Sequence, residues 1–357
     1  MVEKRLKNTS PLCFLPDGRL ICYQHGDIIV VANGKLEKRL PLFKSGKEKI
    51  IGRVRLLYRL LRLGVRAAVA FDENKVALSI GTMLYELNID TGYLSRGFAT
   101  NGGSRPLQFT VLKSMGGFAD GIYYGEYVHN PRKKPIGIFL RTGEDQWETV
   151  YTFPEGSINH VHNIVADPYR NCLWIFTGDF GEAAAIWKVT DNFNKVERLV
   201  GGDQKWRGSV SFVLPEGLLY ATDTPRADDY LYLLNPDTME QTVVMPLHGS
   251  CIYGCKWKDN YVLASTVESE GGEMSFFENW FGRKRGKGIK DEYVHMYCGN
   301  LGNGFQEIYK ERKDCLPFTL FQFGVFKFPA GINNGDTLYF QPVATNNNDL
   351  KLMAYCN

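Results

Sequence analysis

Short apolar runs broken by polar turns recur along the whole chain, and three versions alternate in a fixed order. One opens on a charged or polar residue and turns apolar, as in RAAVA (66–70), HVHNIV (160–165) and RGSVSF (207–212). A second is apolar and ends in small or polar residues: LICYQH (20–25), VALS (76–79), IYYGE (122–126), LWIFTGD (173–179), LYATD (219–223), VLAST (262–266) and LYFQ (338–341). The third is a Leu-Tyr-x-Leu run closed by an Asp turn, as in LYELNIDTG (84–92), IWKVTDN (186–192) and LYLLNPDT (231–238). Turns such as Pro16-Asp17-Gly18 and Lys258-Asp259-Asn260 join the first version to the second. Such runs, rich in aromatic and β-branched residues, read as strands. Three strands plus a fourth after the Asp turn, repeated roughly every 40 to 55 residues, is the pattern of β-propeller blades. The expected fold is therefore all-β: seven four-stranded antiparallel blades around a central channel, with six as the alternative. A single propeller domain would occupy residues 1–357. The last repeat shows only three strands, so residues 2–6 are expected to supply its fourth and close the ring.

Composition agrees with this and adds limits. Aromatics are 13% of the chain and there are 37 glycines, which suits strands joined by tight turns. A net charge of +3 gives no reason to expect nucleic-acid binding, so any basic function must be local. The first 30 residues hold no apolar run of secretory length, which predicts a cytoplasmic protein, although a trimmed exported chain would look the same. The eight cysteines mostly sit in strand-like runs and read as reduced core thiols. Cys251 and Cys255 lack a second Cys/His pair at zinc spacing.

In a propeller, the loop entering the inner strand and the loop leaving the second strand open on one face, so residues distant in sequence converge there. The entry positions carry Arg66, Arg105, His160, His162, Arg207, Tyr253 and Gln322; the exit positions carry His25, Glu126, Asp179, Asp223 and Glu268, with Tyr124 nearby and Arg226 just beyond. His160 and His162 alternate with Val161, which aims both imidazoles at one face for acid/base work, ligand binding or metal ligation; with no third ligand evident, no metal or other cofactor is expected. Arg105 and Arg207 occupy equivalent blade positions and suit an anion on a substrate, or salt bridges to Asp179 or Asp223. Tyr124 and Glu126 place a phenol beside a carboxylate. Two basic apolar stretches, RVRLLYRLLRL (53–63) and FFENWFGRKR (276–285), read as a helix and a long hairpin loop, or as contacts for an anionic membrane surface.

The blade pattern, with GSRPL (103–107), YGEY (124–127), HVH (160–162) and TGD (177–179), resembles the sialidase-like, Asp-box (BNR-type) propellers of the glycosyl hydrolase class. No complete Ser-x-Asp-x-Gly-x-x-Trp box is present; remnants are RTGEDQW (141–147) and TDNF (190–193). The resemblance implies a carbohydrate-active enzyme cleaving a glycosidic bond in an acidic glycan. Catalytic candidates are His160, His162, Tyr124, Glu126, Asp179 and Asp223, and substrate-binding candidates Arg105, Arg207, Arg226, Glu268 and Gln322. In the family, three arginines clamp a carboxylate, a Tyr/Glu pair provides the nucleophile and an Asp acts as acid; no third arginine aligns here. Alternatives are a polysaccharide lyase acting on a uronic-acid glycan and a non-catalytic glycan-binding or scaffold propeller. The expected partner is an acidic oligosaccharide or polysaccharide, with peripheral membrane contact possible for the basic stretches. A monomer that binds no nucleic acid is expected.

Overall fold

The recurring strands fold into a ring. A computed structural model describes residues 2–42, 46–270 and 276–356, which form seven four-stranded antiparallel sheets. Blade one runs Ser10–Phe14, Leu20–Gln24, Asp27–Ala32 and Lys35–Pro41, and blade two Val65–Ala70, Lys75–Ile80, Met83–Asn88 and Phe98–Ala99. Blade three is Thr110–Leu112, Gly121–Gly125, Ile136–Gly143 and Gln146–Phe153; blade four is His160–Asp167, Cys172–Gly178, Ala185–Thr190 and Lys195–Gly201. Blade five is Gly208–Leu214, Gly217–Thr222, Tyr230–Leu234 and Gln241–Pro246; blade six is Cys251–Trp257, Asn260–Ser265, Tyr293–Asn300 and Gly304–Arg312. Blade seven takes Val325–Lys327, Thr337–Val343 and Leu352–Cys356 from the C-terminal end and Val2–Leu6 as its outer strand. Val2 lies opposite Tyr355 and Leu6 opposite Leu352, so the ring closes as the incomplete last repeat predicts.

The position of each strand in its blade sets its polarity. Second strands are covered on both faces by neighbouring blades, and Cys172–Gly178 and Gly217–Thr222 are buried throughout. Outer strands such as Lys195–Gly201 are exposed or half-buried along their length and carry the charges. The core therefore lies between blades: Trp174 and Phe176 of blade four pack with Leu218 and Tyr220 of blade five. Burying one such side chain contributes roughly 1.5 to 3 kcal/mol.

Two inner strands begin later than the sequence pattern places them. In blade three the strand starts at Thr110 and not at Arg105, since Pro106 has no N–H to give a ladder. In blade seven it starts at Val325, because residues 318–321 form a helical turn.

Among the described residues four short α-helices interrupt the blades: α1 (Gly46–Ile51) and α2 (Arg55–Leu60) between blades one and two, α3 (Phe276–Phe281) inside blade six, and α4 (Phe318–Phe321) before blade seven. Residues 276–281, expected in a hairpin loop, are thus helical. Arg59 anchors α2: fully buried, it donates to Asp314, to Asp349 at 3.2 Å and to the Phe321 carbonyl at 2.8 Å. All eight cysteines are free thiols, six of them buried. Among the described residues no helix is long and apolar enough to cross a membrane.

Candidate functional site

A shared irregularity shapes one mouth of the channel. The first residues of several inner strands contain a bulge: the register skips between Val65 and Ala67, Val161 and Asn163, and Gly208 and Val210. Arg66, His162 and Ser209 are the extra residues at equivalent points of blades two, four and five. A bulge re-aims its side chain, and bulges concentrate beside functional sites. On the same face, the chain leaves the second strands of blades four and five at Asp179 and Asp223.

These loops bring His160, His162, Asp179, Arg207 and Asp223 together. His160 Nε2 lies 3.1 Å from His162 Nε2, and the two nitrogens stand 3.3 and 3.5 Å from Asp179 Oδ1. The other ring nitrogens face carbonyls: His160 Nδ1 is 3.0 Å from the Val128 oxygen and His162 Nδ1 is 3.2 Å from the Gly208 oxygen. A carbonyl only accepts, so both Nδ1 atoms carry hydrogen, and in the neutral rings both Nε2 lone pairs aim at the shared space. Gly178 allows this approach, since a Cβ there would sit 2.4 Å from His162 Nε2. Asp179 is held from behind by Asn159 Oδ1, which accepts its backbone N–H at 2.9 Å.

Arg207 closes the cluster, with Nη2 3.1 Å from Asp179 Oδ1 and 3.9 Å from Asp223 Oδ2. Its Nε and Nη1 are buried and have no hydrogen-bond partner among the described residues. Ser209 Oγ donates to Asp223 at 2.8 Å. Phe180 is flanked by the guanidinium groups of Arg226 and Arg207, 4.0 and 5.2 Å from its ring centre.

The other wall is basic. Arg66 lies over the Tyr127 ring at 5.1 Å, and Tyr127 in turn packs on His160 with ring centres 4.2 Å apart. Arg66 and Lys327 line one small cavity of about 110 Å³ with Gln108 and Tyr253. Arg105 is exposed at the rim, its backbone N–H bonded to the Tyr127 carbonyl.

Burial and neighbouring charge separate the titrations. Burial, then His160 and Arg207, push His162 down to about 4 against the pull of Asp179, so it is neutral at ordinary pH. Burial disfavours the Asp179 anion, yet the two imidazoles beside it and the Arg207 charge prevail and hold its carboxyl well below the usual range. Burial raises Asp223 to about 7 despite Arg207, with Glu268 adding to the rise; Glu268 is itself raised by burial. Burial, Arg66 and Arg62 lower the Lys327 ammonium to about 8.

Of the residues expected here, His160, His162, Asp179, Asp223 and Arg207 meet. Glu268 acts on Arg207 and Asp223 through its charge, and Arg226 joins through Phe180. Three others do not fit their expected places. Tyr124 is packed in the apolar layer between blades, stacked on Phe139 at 5.0 Å and edge-on to Trp147, because its strand is covered on both faces. Glu126 pairs with no arginine among the described residues: its carboxylate accepts the Gly137 N–H at 2.7 Å within its own blade. Gln322 precedes the inner strand of blade seven and ties α4 to α2 by donating to the Arg59 carbonyl at 3.1 Å. The phenol of the site is instead Tyr127, one residue beyond Glu126 and already outside the strand. The sequence pattern does not mark Lys327, because α4 displaces the inner strand of blade seven.

Among the described residues, three side chains can offer metal-ligand atoms within 4.8 Å of one another in two places, His160/His162/Asp179 at the channel and His248/Asp291/His295 in blade six. No known family profile matches the chain, and no characterised protein matches it by sequence. Solved structures do. An oligogalacturonate lyase in complex with manganese superposes with a TM-score of 0.56 at 11% identity, covering 99% of this chain and 90% of that one. A structure from a study of two prolyl endopeptidases gives 0.56 at 12% identity, over 95% of this chain and 46% of that one. The β-propeller domain of Myceliophteria thermophila Cps50 (Swd1) gives 0.55 at 8% identity, over 99% and 100%. At such identities the likeness establishes the class, a seven-bladed β-propeller, and a fold of this kind hosts many unrelated functions.

Proposed function

We propose that the chain is a carbohydrate-active enzyme that cleaves an acidic glycan at this channel mouth by β-elimination beside a uronate. The observation that carries the reading is a basic group, Arg66 and Lys327 with rim Arg105, joined to the His160–His162–Asp179 cluster through Tyr127, whose ring lies under Arg66 at 5.1 Å and packs on His160 with centres 4.2 Å apart. Guanidinium groups suit a sugar carboxylate, and neutralising that carboxylate acidifies the adjacent C5–H. Lys327, with its ammonium destabilised to about 8, takes the C5 proton. The C5–H electrons form the C4=C5 bond, and the C4–O bond breaks. Burial keeps the Tyr127 phenol protonated, and it supplies the proton for the leaving oxygen. The likeness to an oligogalacturonate lyase supports a lyase on such a scaffold.

Hydrolysis is the second reading, favoured by the contrast between ionised Asp179 and the raised Asp223, the kind of split that assigns a general acid and its partner. The sialidase-like version of that reading would need another nucleophile than the Tyr124/Glu126 pair.

Incubation with a panel of acidic oligosaccharides tests the proposal. Ultraviolet absorbance of an unsaturated uronate, rising in step with new reducing ends, is expected. Reducing ends without that absorbance would replace elimination by hydrolysis, and saturable binding without products would leave a binding propeller. Lys327→Met and Arg66→Ala are each expected to cut kcat/KM by about 100-fold or more.

A further inference from the structure

We propose that His160, His162 and Asp179 bind one first-row divalent cation at the channel mouth. Both imidazoles are fixed by Nδ1–H donation to main-chain carbonyls, the outer contact that metal-ligating histidines usually make. Their Nε2 lone pairs then point at each other over 3.1 Å and at a carboxylate oxygen over 3.3 and 3.5 Å, which is repulsive without a cation among them. The triangle has the right size. Ligands ~2.1 Å from an ion stand ~3.0 Å apart along an octahedral edge and ~3.4 Å along a tetrahedral one. Two histidines and one carboxylate on one side of an ion leave the opposite positions open to ligand oxygens. Arg207 holds Asp179 in place through the same oxygen, and Asn159 fixes the backbone beneath it. The cluster at His248 is less suited, since both His295 nitrogens already face carboxylates: Nδ1 at 2.5 Å from Glu307 and Nε2 at 3.0 Å from Asp291.

The test needs no sugar, so its failure and that of the glycan reading are distinguishable. Chelator-stripped protein is titrated with Mn2+ and, separately, Zn2+, following bound ion by elemental analysis and calorimetry. One ion per chain, with a raised melting temperature, is expected for at least one of the two metals. His162→Ala, and the near-isosteric Asp179→Asn should folding of the first fail, are expected to weaken binding by about 100-fold or more, while a His248→Ala/His295→Ala double variant binds as the parent does. No saturable binding of either metal, or full binding by the Asp179→Asn variant, would overturn the proposal.

A separate observation concerns the outside of this face. We infer that the helical cap beside the site docks on an anionic bilayer surface. Arg62 of the α2 end donates to the Thr319 carbonyl of α4 at 2.9 Å, and α4 also packs on α3, so stretches far apart in sequence form one cap. The cap exposes Leu57, Leu60 and Leu61 at α2 and Phe277 and Phe281 at α3, with Phe277 70% exposed. The charge around them is mostly positive: no Asp or Glu occurs between Lys49 and Arg66, and Arg283, Lys284 and Lys287 follow α3 on the surface, against the single Glu278 within α3. Exposed leucine and phenylalanine within a basic rim is the pattern of interfacial anchoring. In co-sedimentation the protein is expected to bind vesicles containing phosphatidylserine and to be released by high salt. Phe277→Ser/Phe281→Ser should lower vesicle binding at least 10-fold with an unchanged melting temperature. Equal binding to pure phosphatidylcholine vesicles, or none to anionic ones, would overturn the inference.

Discussion

Gly178 shows how a single missing atom allows the cluster. An alanine Cβ at that position would lie 2.4 Å from His162 Nε2, so Gly178→Ala must displace the imidazole. Overpacking of this kind costs about 1 to 3 kcal/mol; thermal denaturation should show that loss together with loss of the ion. Arg59→Met should destabilise by about 1 to 3 kcal/mol in urea denaturation, since buried Asp314 and Asp349 and the Phe321 carbonyl lose a charged donor while Arg55 still pairs both aspartates and Lys313 still pairs Asp314. Lys327 behaves in the opposite sense. Its folded value of about 8 lies below its usual 10.5, so the folded state binds fewer protons between those pH values. Stability from this group therefore rises as pH climbs through that window, and below about pH 8 its charge is a standing cost. Lys327→Met should then lose activity while melting no lower than the parent at pH 7, and parental activity should rise with pH as the amine loses its proton.

At the scale of elements, strands were more legible than their edges. The second strand of each blade is buried on both faces, so its sequence stays apolar and the repeat can be counted from it. Closure by Val2–Leu6 was visible because the last repeat lacked a strand. The ends of strands were harder to read, since a bulge or an extra helical turn changes which side chain reaches the channel without altering local composition. This is why HVH and TGD led to the site while Tyr127 and Lys327 did not. Tyr124 misled for the same reason: a phenol near a carboxylate in sequence says nothing of whether its strand face meets a blade or the channel. Removing residues 1–6 tests the closure. The four paired residues of Val2–Leu6 would be lost, and at about 1 kcal/mol net per ladder hydrogen bond the fold should weaken by several kcal/mol and expose Leu352–Cys356 to aggregation. Unchanged melting and solubility would contradict the role given to that strand.

Across the whole molecule, the two mouths of the channel differ in chemistry. One gathers carboxylates, imidazoles and basic groups from six blades, with the helical cap beside them. The other opens on a cavity of about 1160 Å³ lined by strand turns such as residues 15–18 and 333–336, with few titratable groups. A large, mostly neutral cavity is the ordinary place to look for a ligand, yet charge and imidazole geometry point to the opposite end. Net charge hides this polarity, because 42 Lys and Arg against 39 Asp and Glu are summed over the whole chain. The decisive measurement is a crystal structure of the Lys327→Met variant soaked with a uronate oligosaccharide. The sugar carboxylate is expected at hydrogen-bond distance from Arg66 or Arg105, with the scissile bond facing the His160–His162–Asp179 cluster. Ordered sugar in the opposite cavity, with none at this mouth, would contradict the account.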